Sequence, residues 1–156
     1  MNRRILIALS TLSALAVVFG VVRARAAAPV GRYVLTNTTV HDRRTHLTWH
    51  RQASTSRVTW DVAKSGCEGS LADGGRWRLP TLLELETIVD VRAATPSIDV
   101  AAFPSTPVEY FWTQTSYAAA ADHYWAVSFD TGAAVGMTLG TVDAPSLLSV
   151  RCVRDD

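Results

Sequence analysis

The sequence has no internal repeat, no low-complexity segment and no heptad run, so its organisation must come from local periodicity and punctuation. Cysteine is scarce: Cys67 and Cys152 are the only two. A surplus of basic charge is also missing. The 156 residues carry 15 Lys and Arg against 14 Asp and Glu, but Arg3, Arg4, Arg23 and Arg25 belong to an N-terminal leader. Without them 11 basic residues face 14 acidic ones, a net charge of −3. A mildly acidic domain lacks the Lys and Arg excess that general nucleic-acid binding requires. No Ser, His and Asp set has the context of a nucleophile elbow.

What is present begins with that leader. Asn2-Arg3-Arg4 is a short basic start, Ile5 to Val22 is an uncharged apolar run, and Ala24-Arg25-Ala26-Ala27-Ala28 supplies small residues for a signal peptidase. Residues 1–28 therefore read as an export signal cleaved near 26–28, and residues 29–156 as one domain. The run of 18 residues is at the lower edge of what spans a bilayer, so an uncleaved anchor is the alternative. No cysteine follows the run to take a lipid. The expected location is the periplasm or the extracellular space, with membrane contact only if the leader is retained. About 130 residues then remain, a common size for a single domain with one real core.

The strongest local signal is Gly75-Arg76-Trp77-Arg78-Leu79-Pro80-Thr81-Leu82-Leu83-Glu84-Leu85. Pro80 biases Leu79 toward an extended backbone, Thr81 can cap a helix, and Glu84 three residues later completes a capping box. Leu82, Leu85, Ile88 and Val89 recur at helical spacing and define one apolar stripe. An earlier helix opens at Thr59-Trp60-Asp61, with Trp60, Ala63 and Cys67 on one face. Asp73-Gly74-Gly75 breaks the chain between the two helices.

Tyr33 to Asn37 and His46 to Arg51 have strand composition, with Asn37, Thr38, Asp42 and Thr45 as turn residues between them. Pro96, Pro104 and Pro107 punctuate a long irregular segment. After it, Tyr110 to Thr115, Tyr124 to Asp130, Ala133 to Leu139 and Leu148 to Arg154 read as strands. Strands, two helices, a long loop and more strands give an α+β domain with an antiparallel sheet. In an exported chain two cysteines allow one intramolecular bond, Cys67 to Cys152; two separately buried thiols are the alternative.

Six blocks occur in order: Leu47-Thr48-Trp49; Thr59-Trp60-Asp61-Val62-Ala63 with Cys67; Trp77 to Thr81 with Glu84-Leu85; Phe111-Trp112-Thr113; Trp125 to Phe129 with Gly132; and Val150-Arg151-Cys152-Val153-Arg154. Together they resemble the Lcl C-terminal domain family, exported bacterial modules named after a collagen-like adhesin, over about residues 45–154. The resemblance implies a C-type-lectin-like fold in which two helices pack on a twisted antiparallel sheet. It also implies termini that lie close together, and a disulfide from the first helix to the last strand. The chain has no collagen-like repeat, so the trimeric assembly of that adhesin is not implied.

Calcium-dependent lectins of this fold use Glu-Pro-Asn or Gln-Pro-Asp together with Trp-Asn-Asp, and neither element is present. Thr106-Pro107-Val108-Glu109 supplies one carboxylate where calcium needs about six oxygens. No metal and no cofactor is expected. His41, His46, His50 and His123 do not make a metal site, since His46 and His50 lie too far apart along a strand to chelate. Rings offer a route to carbohydrate without metal, and the expected ligand-binding residues are Tyr110, Tyr117, His123, Tyr124 and Trp125. They belong to a surface formed by the loops Pro96 to Pro107 and Tyr117 to His123. Trp49, Trp77 and Trp112 are expected in the framework. Arg43, Arg44, Arg51 and Arg57 are either solvated or a patch for sulfated or carboxylated glycans.

Phe129-Asp130-Thr131-Gly132-Ala133 resembles an aspartic-protease loop, but only 24 residues follow Gly132, and the sequence reads as a hairpin turn. The expected function is non-catalytic recognition of a cell-surface polysaccharide or protein without calcium, with no nucleic-acid partner. An enzyme of the formylglycine-generating kind and a structural envelope component are the alternatives. The former would need two reactive thiols. The oligomeric state is left open.

Overall fold

The computed structural model describes residues 28–70, 74–93 and 95–156. The leader, except Ala28, and Asp73 of the chain break lie outside the described residues. Among the described residues the domain is α+β, with two helices and two antiparallel sheets. The first sheet has the order β1-β2-β3-β7: β1 (Tyr33–Leu35), β2 (Thr39–Asp42), β3 (Leu47–His50) and β7 (Val153–Asp155). The second is the meander β4 (Tyr110–Ser116), β5 (His123–Ser128) and β6 (Ala134–Thr138). The first and last strands share one sheet and form its two edges. Where one continuous sheet was expected, the strands divide into two.

Three boundaries differ from the sequence reading. Thr39 to Asp42, expected as part of a turn region, pairs with both neighbours as β2. Asp42 can end a strand because its carboxylate is used: it accepts from Arg32 and from the Arg44 N–H. Of Leu148 to Arg154 only the end is a strand. Leu148 and Ser149 instead make single bridges to Val58 and Phe111. The second helix stops at Glu86 because the Thr87 hydroxyl donates to the Glu84 carbonyl at 2.6 Å and turns the chain. Ile88 is nevertheless buried, and Val89 bridges to Ile98.

Helix α1 (Trp60–Glu68) starts at Thr59, whose hydroxyl accepts from the Val62 N–H. It buries Ala63 and Cys67, and Cys67 is bonded to Cys152, which stands one residue before β7. Helix α2 (Leu82–Glu86) has both halves of the capping box: Thr81 accepts from the Glu84 N–H, and Glu84 accepts from the Thr81 N–H.

The β4–β6 meander separates two apolar clusters. Alternation along β4 and β5 sends Phe111 and Val127 to one face, with Leu85, Ile88, Phe103, Phe129 and Trp49. Trp112 and Ala126 go to the other, with Ala63, Cys67, Trp77 and Cys152. The sequence Asp130-Thr131-Gly132 is the turn between β5 and β6. Gly132 takes φ +78° there, a backbone that side chains other than glycine rarely adopt.

Candidate functional site

The motif from Trp77 to Glu84 lies in the framework. Trp77 and Leu79 are buried, and Arg78 pairs by its backbone with Val153. The Arg78 guanidinium grips Glu84 with two bonds of 2.8 Å and reaches Asp155 at 3.0 Å. One salt-bridged arginine thus ties the cap of α2 to β7. Burial pushes the Glu84 carboxyl up, but Arg78 and the Thr81 N–H outweigh it and hold the group below the usual carboxylate range. Pro80 takes part through its carbonyl, which accepts from the Gln114 N–H.

A bulge in β4 builds the surface beyond this frame. Trp112 pairs with Ala126 and Ser116 with Tyr124, so the intervening residues of β4 outnumber those of β5. Inside the bulge the Thr113 hydroxyl donates to the Trp125 carbonyl at 2.7 Å. The Thr115 hydroxyl accepts from the Leu82 N–H, one of the donors that a helix N-terminus leaves unpaired. Beyond the bulge Tyr117 pairs with His123, its N–H donating to the His123 carbonyl at 2.9 Å.

Three of the expected ligand residues come together there. Tyr117 meets Trp125 edge to face at 4.9 Å between centroids, and His123 lies 6.1 Å from Tyr117. All three are half-buried. The space they share exists because position 136 is glycine: a Cβ there would stand 3.0 Å from three carbons of the Tyr117 ring. The ring therefore lies flat across the exposed Gly136. Asp122, on the connecting loop, accepts from His123 Nδ1 at 2.8 Å, with the Thr138 hydroxyl 3.5 Å away.

The other two residues are elsewhere. Tyr124 faces the opposite side of the sheet, stacked on Trp60 at 4.0 Å, with the Lys64 ammonium over Trp60. Tyr110 is at the far end of the meander, where it lines a crevice of about 240 Å³ with Arg57, Glu109 and Asp130. The two loops expected to form one surface also lie at opposite ends. Residues 117–123 join β4 to β5, whereas the Ser97 N–H donates to the Phe129 carbonyl and its hydroxyl to the Asp130 carbonyl. The length of the strands separates them by roughly 20 Å. The strands of a hairpin cannot bring their two ends together, and the composition of the loops carries no sign of which end each occupies.

The four arginines read as either solvated or a patch are dispersed. Arg43 and Arg44 are in the β2–β3 turn, and Arg51 and Arg57 follow the far end of β3. His46 precedes β3, and the His50 ring packs on Trp77 at 4.0 Å. Among the described residues no three His, Cys, Asp or Glu side chains are grouped to hold a metal ion. Nor, among those residues, is any helix long and apolar enough to cross a membrane.

Sequence reasoning assigned no role to Arg151, which is completely buried and bonds to no carboxylate among the described residues. Its guanidinium donates to the carbonyls of His50 and Arg51, both at 2.7 Å, and to the Thr106 hydroxyl at 2.8 Å, over the Phe103 ring. Burial pushes its pKa down to about 9, which leaves it charged at neutral pH. The clue was an arginine inside a run, Leu147 to Val153, that is otherwise apolar except for Ser149.

No curated protein matches the chain. A sequence model described as the Lcl C-terminal domain matches residues 38–154, which contain both helices, the disulfide, the whole second sheet and the first sheet apart from β1 and the last residue of β7, and the chain belongs to that family.

Proposed function

We propose that this is an exported, non-catalytic binding module that recognises a cell-surface polysaccharide or protein without calcium, through the ledge of Tyr117, His123 and Trp125. The observation that carries the reading is the Tyr117 ring lying flat over Gly136 with the Trp125 ring nearly perpendicular beside it. A ring supported on one side by backbone presents its other side to a ligand, and sugar C–H faces stack on such rings. Nearby, the Asp122 carboxylate and the Thr138 hydroxyl supply hydrogen-bond capacity. The family membership and the disulfide fit an exported setting. Support for a non-catalytic role comes from the sulfurs. The formylglycine-generating alternative needs two reactive thiols, and here both sulfurs are spent on the bond between α1 and the segment before β7.

A glycan array probed with the wild-type protein and with Tyr117→Ala, each with and without EDTA, tests this. Binding that survives EDTA and disappears in Tyr117→Ala is expected. Signal lost with EDTA refutes the metal-free mode, and signal unchanged in Tyr117→Ala moves the site away from the ledge.

A further inference from the structure

Charge is distributed along the chain in a way that bears on the ledge. Between Arg92 and Arg151 there is no Lys or Arg at all, while Asp99, Glu109, Asp122, Asp130 and Asp143 fall in that interval. The interval contains the whole β4–β6 meander and its connecting loops. The ledge is therefore built from a stretch whose formal charges are all negative.

Asp122 belongs to the ledge by geometry. It precedes His123, binds that ring at 2.8 Å, and its carbonyl accepts from the Leu139 N–H. Its side chain is two-thirds exposed. Each carboxylate oxygen can accept more than one hydrogen bond, so the contacts with His123 and Thr138 leave capacity for a further donor. The hydrogen bond from His123 keeps the Asp122 carboxyl below the usual range and so ionised at neutral pH. The Lys64 ammonium is on the opposite face of the sheet, with Trp60 and Tyr124.

We propose that the ledge is a subsite for a cationic amino sugar, a glucosamine-type unit of a polysaccharide that has lost N-acetyl groups. Its pyranose ring stacks on Tyr117 and its ammonium bonds to Asp122. Both halves of the site favour this ligand: an aromatic face attracts a cation as well as a C–H surface, and a carboxylate makes a charge-assisted bond with an ammonium. The same field disfavours sulfated and uronic-acid glycans at this end of the molecule. The proposal rests on the binding-module reading above and adds the charge of the ligand to it.

The test is calorimetric titration of the full protein with a β-1,4-linked glucosamine hexamer and with its fully N-acetylated counterpart. Mildly acidic buffer keeps the amines charged. The charged hexamer should bind about tenfold more tightly than the neutral one, and added salt should narrow the gap. Asp122→Asn, a change at an exposed side chain, should bring the two within about twofold, and Tyr117→Ala should abolish both. In Gly136→Ala the Tyr117 ring must shift; binding should weaken while the melting temperature holds.

Equal affinity for the two hexamers overturns the amino-sugar assignment and leaves the glycan-binding module standing. A preference that survives Asp122→Asn overturns the role of that carboxylate. Binding of neither hexamer by folded wild-type protein overturns the proposal. A lysine-rich peptide bound in a Tyr117-dependent way would in that case identify a protein partner.

Discussion

At the scale of single residues, buried charge divides into two kinds. The Asp42 side chain is fully enclosed and meets Arg32 at 2.6 Å, while the same arginine also donates to the Thr87 carbonyl. Burial alone would push the Asp42 carboxyl up, but Arg32 and the Arg44 N–H hold it below the usual range. A folded pKa below the unfolded one means that the stability is fully present above the unfolded carboxylate value, about 4, and is lost as pH falls through the folded value. The expected outcome in urea melts is a wild-type stability that declines on the acid side, with a shallower decline in Asp42→Asn. An equal slope in the two would remove Asp42 from the acid response. Arg151 is the other kind, a cation held by carbonyls instead of by a carboxylate. Arg151→Met leaves the His50 and Arg51 carbonyls without that donor, and the loss should be roughly 3 kcal/mol by chemical denaturation.

At the scale of elements, capping decides more than length does. Helix α2 has only five residues, too few to be stable alone, yet its start is fixed by Thr81, Glu84, Arg78 and the Thr115 hydroxyl. Thr81→Ala should lower stability by about 1 kcal/mol in a thermal or urea melt while leaving the proposed glycan binding unchanged. Altered binding in a variant of normal stability would contradict the framework role. Both helix starts were legible, because a cap is written within four residues. The end of α2 was not: Ile88 and Val89 continue the apolar period, but the Thr87 hydroxyl takes the Glu84 carbonyl and the chain leaves the helix with Ile88 still facing the core. Strand β2 was missed for a related reason. Thr39-Val40-His41-Asp42 is flanked by turn formers, and its pairing depends on β1 and β3 arriving on either side.

At the scale of the whole molecule, the Cys67–Cys152 bond crosses 85 residues of sequence and joins α1 to the segment before β7. Replacing both cysteines with alanine should cost about 2–4 kcal/mol, toward the upper end if loop entropy dominates. Comparison of the two proteins by urea denaturation checks this. Alkylation of the unreduced wild type should leave both sulfurs unmodified. The bond closes one apolar cluster, and the meander shields it from the other. Irregular loops can then run at both ends of the meander without the core opening.

The sequence by itself determined the family, the α+β class, the helix starts and the cysteine pair, because each is encoded in residue identities a few positions apart or in the order of blocks along the chain. The tertiary structure alone decided which aromatic residues meet. Tyr117, His123 and Trp125 share a face because strand alternation and the β4 bulge put them there and Gly136 leaves room; Tyr124, one residue from both His123 and Trp125, is turned to the other side. A one-residue step reverses the face of a strand, and how a bulge aims the residues beyond it depends on the paired strand.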